Sequence, residues 1–197
     1  MAQFKAFAPD IEVNGQTVLS VVKGCSMQSI ARQYLRINGI DDPQPQHWYP
    51  QQAWLDTFQQ ISAVIGDMGL MLIGQKIPDS ADWPADVRDI AGALASIDVA
   101  YHMNHRRHGR LLYDTASGAM DEGIGHYQLQ QVDERSSKVI CCNPYPCDFD
   151  RGIVGAAANK FKPAGFRVMV SHEHVVPCRK KGGDTCVYLV SWKPAEE

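Results

Sequence analysis

The sequence predicts an α+β fold: an N-terminal β-hairpin and helices, followed by an antiparallel sheet with one inserted helix. In the first half, apolar residues recur mostly at helical spacing, whereas the second half contains short apolar runs typical of strands. No repeat or break in composition divides the 197 residues. This length favours one domain over 1–197, with the hairpin and helices in 1–110 and the sheet in 111–197.

In the first half, residues 11–22 alternate around Asn14-Gly15, a pair typical of a type I′ turn, and therefore predict a hairpin. A short helix is predicted from an N-cap at Ser26 to near residue 39. Helical spacing then predicts helices over 51–65 and 70–73. Pro84 is placed in the first turn of a long helix that reaches Tyr101. The proline-rich segments 43–50 and 78–84 are predicted to be loops.

In the second half, strands are predicted over 123–130, 138–142, 166–170 and 186–192. A helix is predicted over 150–160, with Asp148 or Asp150 as its cap.

The composition excludes several classes of function. With 19 basic and 22 acidic side chains, the net charge of −3 argues against a nucleic-acid-binding surface. No run of eighteen apolar residues predicts a membrane span, and the N-terminal residues lack a signal-peptide pattern. We therefore expect a cytoplasmic protein, in which clustered cysteines indicate a metal site, catalysis or core packing more often than disulfides.

Five of the six cysteines lie in the last third of the chain. Cys178 and Cys186 flank a loop with a Gly-Gly pair, His172 and His174 precede them closely, and Cys147 stands before the predicted helix. Because tetrahedral zinc takes four nitrogen or sulfur ligands, these residues predict a zinc site. The alternative is ordinary core packing. The three other cysteines are predicted to belong to the core: Cys25, Cys141 and Cys142.

The order Pro-x-Cys, helix, strand, imidazole and Cys-x7-Cys over residues 123–192 resembles the vinyl-4-reductase-type (4-vinyl reductase) sensor domain. This domain is related in fold to core subunits of the TRAPP tethering complex and to haem nitric-oxide-binding domains. The resemblance implies a structural zinc held by three cysteines and a carboxylate, a bound small molecule and a homodimer. Val175 stands where the carboxylate is expected, so His172 or His174 would have to replace it.

Three histidines, His102, His105 and His108, follow Tyr101 at a spacing of three. They are consistent with a metal site, with an axial haem ligand at His102 or His105, with polar anchors of a ligand pocket, or with a positively charged helix end. Large aromatic side chains near loops add to a default pocket. The predicted pocket residues are Trp48, Trp54, Tyr101, His102, His105, His126 and Tyr127.

Together these features predict a signalling or regulatory module that binds a small hydrophobic or aromatic molecule, carries a structural zinc and acts through a partner signalling protein. The alternatives are a haem- or tetrapyrrole-binding sensor or accessory protein, a thiol hydrolase using Cys147, and a structural assembly module. GxSxG, P-loop and HExxH motifs are absent, so the sequence favours a non-enzyme without deciding the matter.

Overall fold

The computed structural model describes residues 3–173 and 177–195, in which five helices and eight strands occur. The helices are α1 (Gly15–Gly24), α2 (Gln28–Ile37), α3 (Gln51–Asp79), α4 (Ile90–Met103) and α5 (Cys147–Lys160). The strands are β1 (Ile11–Asn14), β2 (Trp48–Pro50), β3 (His105–Arg107), β4 (Arg110–Leu111), β5 (His126–Asp133), β6 (Ser136–Cys142), β7 (Phe166–His172) and β8 (Cys186–Pro194).

The α+β class is confirmed: along the chain, α1 to α4 alternate with strands of one antiparallel four-stranded sheet, and α5 lies between strands of a second one. The small sheet has the order β2-β1-β3-β4 and the large one β5-β6-β8-β7. All four strands predicted for the second half are present, and so is the helix inserted between them. Helices α3 and α5 approach each other so closely that a Cβ added to Gly152 would lie 2.2 Å from the carbonyl oxygen of Met71.

The prediction of an N-terminal hairpin over residues 11–22 is wrong. Asn14 ends β1 and caps α1, since its side chain accepts a hydrogen bond of 2.6 Å from the backbone N–H of Gln16. Val18, Val21 and Val22, which suggested a second strand, are also spaced as one face of a helix, and all three are buried. Strand β1 pairs instead with β2 and β3, which are distant in sequence.

The long helix of the first half begins later than predicted. Asp89, not Pro84, precedes its first turn, and the Asp89 side chain accepts from the N–H of Gly92 at 2.7 Å. The helix ends at Met103, and His105 begins β3. The histidines at a spacing of three therefore do not share one helix.

Smaller differences concern boundaries and caps. Helix α3 joins the two predicted helices across Gly66, whose positive φ of 66° breaks the regular backbone. Met27 precedes α2 in place of Ser26, and Pro146 precedes α5 in place of an aspartate; neither makes a side-chain cap bond. Part of the loop predicted over 43–50 forms β2. Within the described ranges, no helix is long and apolar enough to cross a membrane.

Candidate ligand cavity and metal centre

A cavity of about 540 Å³ lies among α1, the end of α3, α4 and α5. Its volume is within the range of small-molecule sites, and apolar and aromatic side chains dominate its wall. The described lining contains two carboxylates, Asp82 and Asp86, and neither lysine nor arginine. The aromatic and imidazole side chains of the lining are Trp54, Trp83, Tyr101, His105, Tyr113, Tyr127, Tyr145 and Phe149.

The predicted pocket residues divide into two groups. Four of them line the cavity: Trp54, Tyr101, His105 and Tyr127. The others lie elsewhere. Trp48 is on β2, where the Arg106 guanidinium lies 4.7 Å from the centre of its ring. His102 and His126 contact each other at the junction of α4 and β5, with ring centres 4.8 Å apart.

His105 is the imidazole of the cavity wall, and its tautomer is determined by its partners. Its Nδ1 lies 2.7 Å from the carbonyl oxygen of Tyr101, which only accepts hydrogen bonds. Nδ1 therefore carries the proton, and Nε2 accepts from the Tyr145 hydroxyl at 3.0 Å. Burial lowers the pKa of His105 to about 4. The side chain is a neutral imidazole at neutral pH, with its Nε2 lone pair directed to a cavity residue.

A buried polar network supports the wall behind Tyr127. The Tyr127 hydroxyl donates to Asp150 at 2.6 Å, and the guanidinium of Arg179 donates to the same carboxylate. The Asn143 amide donates to Asp150 at 3.2 Å. Asp150 and Arg179 are 0 % and 2 % exposed. Burial raises the pKa of Asp150 to about 6, although the Arg179 charge opposes this shift.

The predicted zinc ligands Cys147, His172, Cys178 and Cys186 meet at one place. One ligand atom of each lies within 4.8 Å of the others, and the three cysteines are buried. The sulfurs of Cys147 and Cys186 are 3.0 Å apart. A hydrogen bond from the Cys147 thiol and the nearby Arg179 lower the pKa of Cys186, and the same hydrogen bond raises the pKa of Cys147. His174 lies outside the described residues.

The loop between Cys178 and Cys186 is folded tightly. The N–H groups of Lys181 and Gly183 both donate to the carbonyl oxygen of Cys178, at 2.7 and 3.0 Å. A Cβ on Gly183 would lie 1.6 Å from the carbonyl oxygen of Pro177, so only glycine fits there. This turn brings Cys178 and Cys186 to the same point, next to Cys147 at the start of α5.

The position of Cys147 bears on the hydrolase alternative. Cys147 is 3 % exposed and lies among three other candidate metal ligands. A nucleophilic cysteine needs access to substrate, which this buried position does not provide. Cys25 and Cys141 are buried, as predicted for core residues, and Cys142 is half-buried.

Solved structures of H-NOX (haem NO-binding) domains have the same fold as this chain. The chain is similar to a T. tengcongensis H-NOX mutant, with 15 % identity, a TM-score of 0.63 and coverage of 93 % of this chain and 100 % of that one. It is similar to an S. oneidensis H-NOX protein in the Fe(II) ligation state, with 16 % identity, a TM-score of 0.59 and coverage of 93 % and 98 %. It is also similar to an oxygen-binding H-NOX domain related to soluble guanylate cyclases, at 14 % identity and a TM-score of 0.59, covering 93 % of this chain and 97 % of that one.

At these identities the likeness establishes the fold, and the predicted relation in layout to haem NO-binding domains is confirmed. No protein-family model matches the sequence, and no curated protein matches it. The resemblance to 4-vinyl reductase domains and TRAPP subunits receives no support from these comparisons.

Several site residues were not predicted from the sequence. Tyr145 and Phe149 line the cavity, and Asp150 and Arg179 form the buried ion pair behind it. The run Asn143-Pro-Tyr-Pro-Cys147 placed Tyr145 beside a metal ligand, which was the available signal. Nothing in the sequence indicated that Arg179 would be buried.

Proposed function

We propose that this chain is a small-molecule sensor domain whose cavity binds haem, with His105 as the axial ligand. The observation that supports this proposal is a buried, neutral imidazole in the wall of a 540 Å³ aromatic cavity. The fold is that of H-NOX proteins whose structures were solved in Fe(II), Fe(II)NO and oxygen-complexed states. Haem iron in other sensors and carriers is commonly held by such a histidine.

His105 and its hydrogen-bond partners fit the binding of a haem iron. A histidine that binds a metal normally donates its other ring N–H to a carbonyl or carboxylate, and His105 donates to the carbonyl of Tyr101. The Tyr145 hydroxyl, now bonded to Nε2, would have to turn away to admit the iron. When bound, haem would supply an iron position for a diatomic gas, while the surrounding aromatic residues would exclude water.

Haem titration of the wild type and two variants tests this proposal. We expect one equivalent of haem to give a sharp Soret band in the wild-type protein and in His126→Gln, whose side chain is outside the cavity. His105→Gly should lose the band, and added imidazole should restore it, because the free ligand can occupy the vacated space. Identical spectra for His105→Gly and the wild type, without imidazole, would refute His105 as the ligand.

A second candidate ligand is a neutral apolar or aromatic molecule. The observation that favours it is the pair of exposed carboxylates, Asp82 and Asp86, in a lining whose described residues include neither lysine nor arginine. Haem carries two carboxylates, which these aspartates would repel. The double variant Asp82→Asn/Asp86→Asn should strengthen haem binding and leave the binding of naphthalene unchanged. If the wild type binds naphthalene but gives no Soret band, the second candidate replaces the first.

We also propose that Cys147, His172, Cys178 and Cys186 hold a structural zinc ion. Three thiolates and one imidazole form a complete tetrahedral set, which leaves no open position for catalysis. The proposal is supported by the convergence of these four ligand atoms and by the tight turn at Gly183. Such an ion would link the start of α5, at Cys147, to β7 and β8, at His172 and Cys186.

Metal analysis of Cys178→Ser tests the zinc proposal. Cys178 is 6 % exposed, and serine is nearly isosteric, so the expected effect is loss of the metal rather than loss of packing. We expect the purified wild type to contain one tightly held zinc and the variant to contain none at this site. Cys142→Ser, which lies outside the cluster, is the matched control and should keep its zinc. Wild-type protein purified without zinc would contradict the proposal.

The predicted output through a partner signalling protein and the predicted homodimer remain proposals. Sedimentation of the purified chain over a range of concentrations would test the dimer.

A further inference from the structure

A second cluster of candidate ligands lies at the junction of α4 and β5, and its residues belong to neither of the sites described above. It consists of Asp98, His102 and His126, whose ligand atoms lie within 4.8 Å of one another. Asp98 and His102 are one turn apart on α4 and so share a face of the helix. His126 is the first residue of β5, and the two imidazole rings are inclined by 32°.

The buried imidazole of His102 has a free acceptor atom. Its Nδ1 lies 2.8 Å from the carbonyl oxygen of Asp98, so Nδ1 carries the proton. Its Nε2 is buried and, among the described residues, has no hydrogen-bond partner. Buried polar atoms almost always have a partner, and an unpartnered one requires an explanation. A metal ion bound to Nε2 would provide it.

Asp98 and His126 are also oriented by hydrogen bonds to neighbouring groups. One carboxylate oxygen of Asp98 accepts from the N–H of Tyr127 at 2.8 Å, and the other lies 3.0 Å from Nδ1 of His126. Nε2 of His126 lies 3.2 Å from the carboxylate of Glu122. Each prospective ligand therefore has a second partner that orients it, as ligands in metal sites commonly do.

We propose that Asp98, His102 and His126 bind a divalent transition-metal ion such as Zn²⁺. Two imidazoles and one carboxylate suit such ions, and three protein ligands leave a position for water or an exogenous ligand. The side chains of His126 and Asp98 are 20 % and 16 % exposed, which provides a path from solvent. The ion would join β5 to α4, the helix that ends just before His105. The proposal is independent of what the cavity binds.

Zinc titration of the full chain without a histidine tag tests this proposal. The wild type should bind two equivalents, one at the cysteine cluster and one at this site. His126→Gln should bind one equivalent and retain the thiolate-to-Co²⁺ absorption of the cysteine cluster when cobalt is used. Cys178→Ser should also bind one equivalent but lack that absorption. The two proposed sites are therefore distinguished from each other.

His126 is the residue to change, because Asp98 also anchors β5 and His102 is fully buried. His108→Gln is the matched control: His108 lies 3.0 Å from the Asp10 carboxylate, but within the described part of the chain these two residues belong to no group of three candidate ligands. It should leave the count at two. Equal zinc counts for His126→Gln and the wild type would overturn the proposal.

Discussion

The protonation of His105 provides a quantitative test of its buried position. Its pKa is lowered from 6.5 to about 4, so between these pH values the unfolded chain binds a proton that the folded chain does not. The folded state is therefore stabilised at neutral pH, and this stabilisation is lost as the pH falls through the window. From these two pKa values, linkage gives a loss of about 2 kcal/mol between pH 7 and pH 5.

The assay is urea unfolding of the wild type and His105→Phe at pH 7 and pH 5. Other groups, including Asp150, titrate in both proteins and largely cancel in the comparison. At pH 7 the variant should be less stable by about 1–3 kcal/mol, because the Tyr101 carbonyl and the Tyr145 hydroxyl lose their partner. Between pH 7 and pH 5, the variant should lose about 2 kcal/mol less than the wild type. Equal losses in the two proteins would show that His105 is accessible and would refute this reasoning.

Two further substitutions test the buried ion pair behind the cavity and the packing of α5 against α3. Asp150→Asn should lower the free energy of unfolding by about 3–5 kcal/mol, because it leaves the Arg179 charge buried without its counterion. Urea denaturation measures this change, and a loss below about 1 kcal/mol would contradict the buried pair. Gly152→Ala should lower the thermal midpoint, since its Cβ would meet the Met71 carbonyl oxygen, and overpacking typically costs about 1–3 kcal/mol. Gly155→Ala, in the same helix with its nearest atom 3.7 Å away, is the control and should not lower the midpoint.

The sequence predicted the elements whose signals are local. Cys178 and Cys186 flank a short turn, so their convergence could be predicted from spacing, and Cys147 and His172 lie beside them. That these four residues bind zinc stays a prediction. The strands of the large sheet were predicted because their apolar patterns are bounded by turn residues. The sequence left His172 and His174 as alternatives for the fourth ligand, because both precede Cys178 closely.

The predictions that were wrong concern elements that depend on contacts between residues distant in sequence. Asn14-Gly15 suits a hairpin turn and a helix start equally well, and the partners of β1 come from β2 and β3, far along the chain. The separation of His102 from His105 depends on where α4 ends, which spacing alone could not determine. The pair of Asp150 and Arg179 joins residues from α5 and the cysteine loop without any local signal.

Native mass spectrometry of haem-supplemented wild type and His105→Gly is the most direct test of the cavity as the ligand site. We predict that the wild type carries one haem and that the variant carries none, while both retain the same number of zinc ions. A haem retained equally by His105→Gly would contradict the assignment of His105, and a wild type that carries zinc but no haem would contradict haem as the ligand.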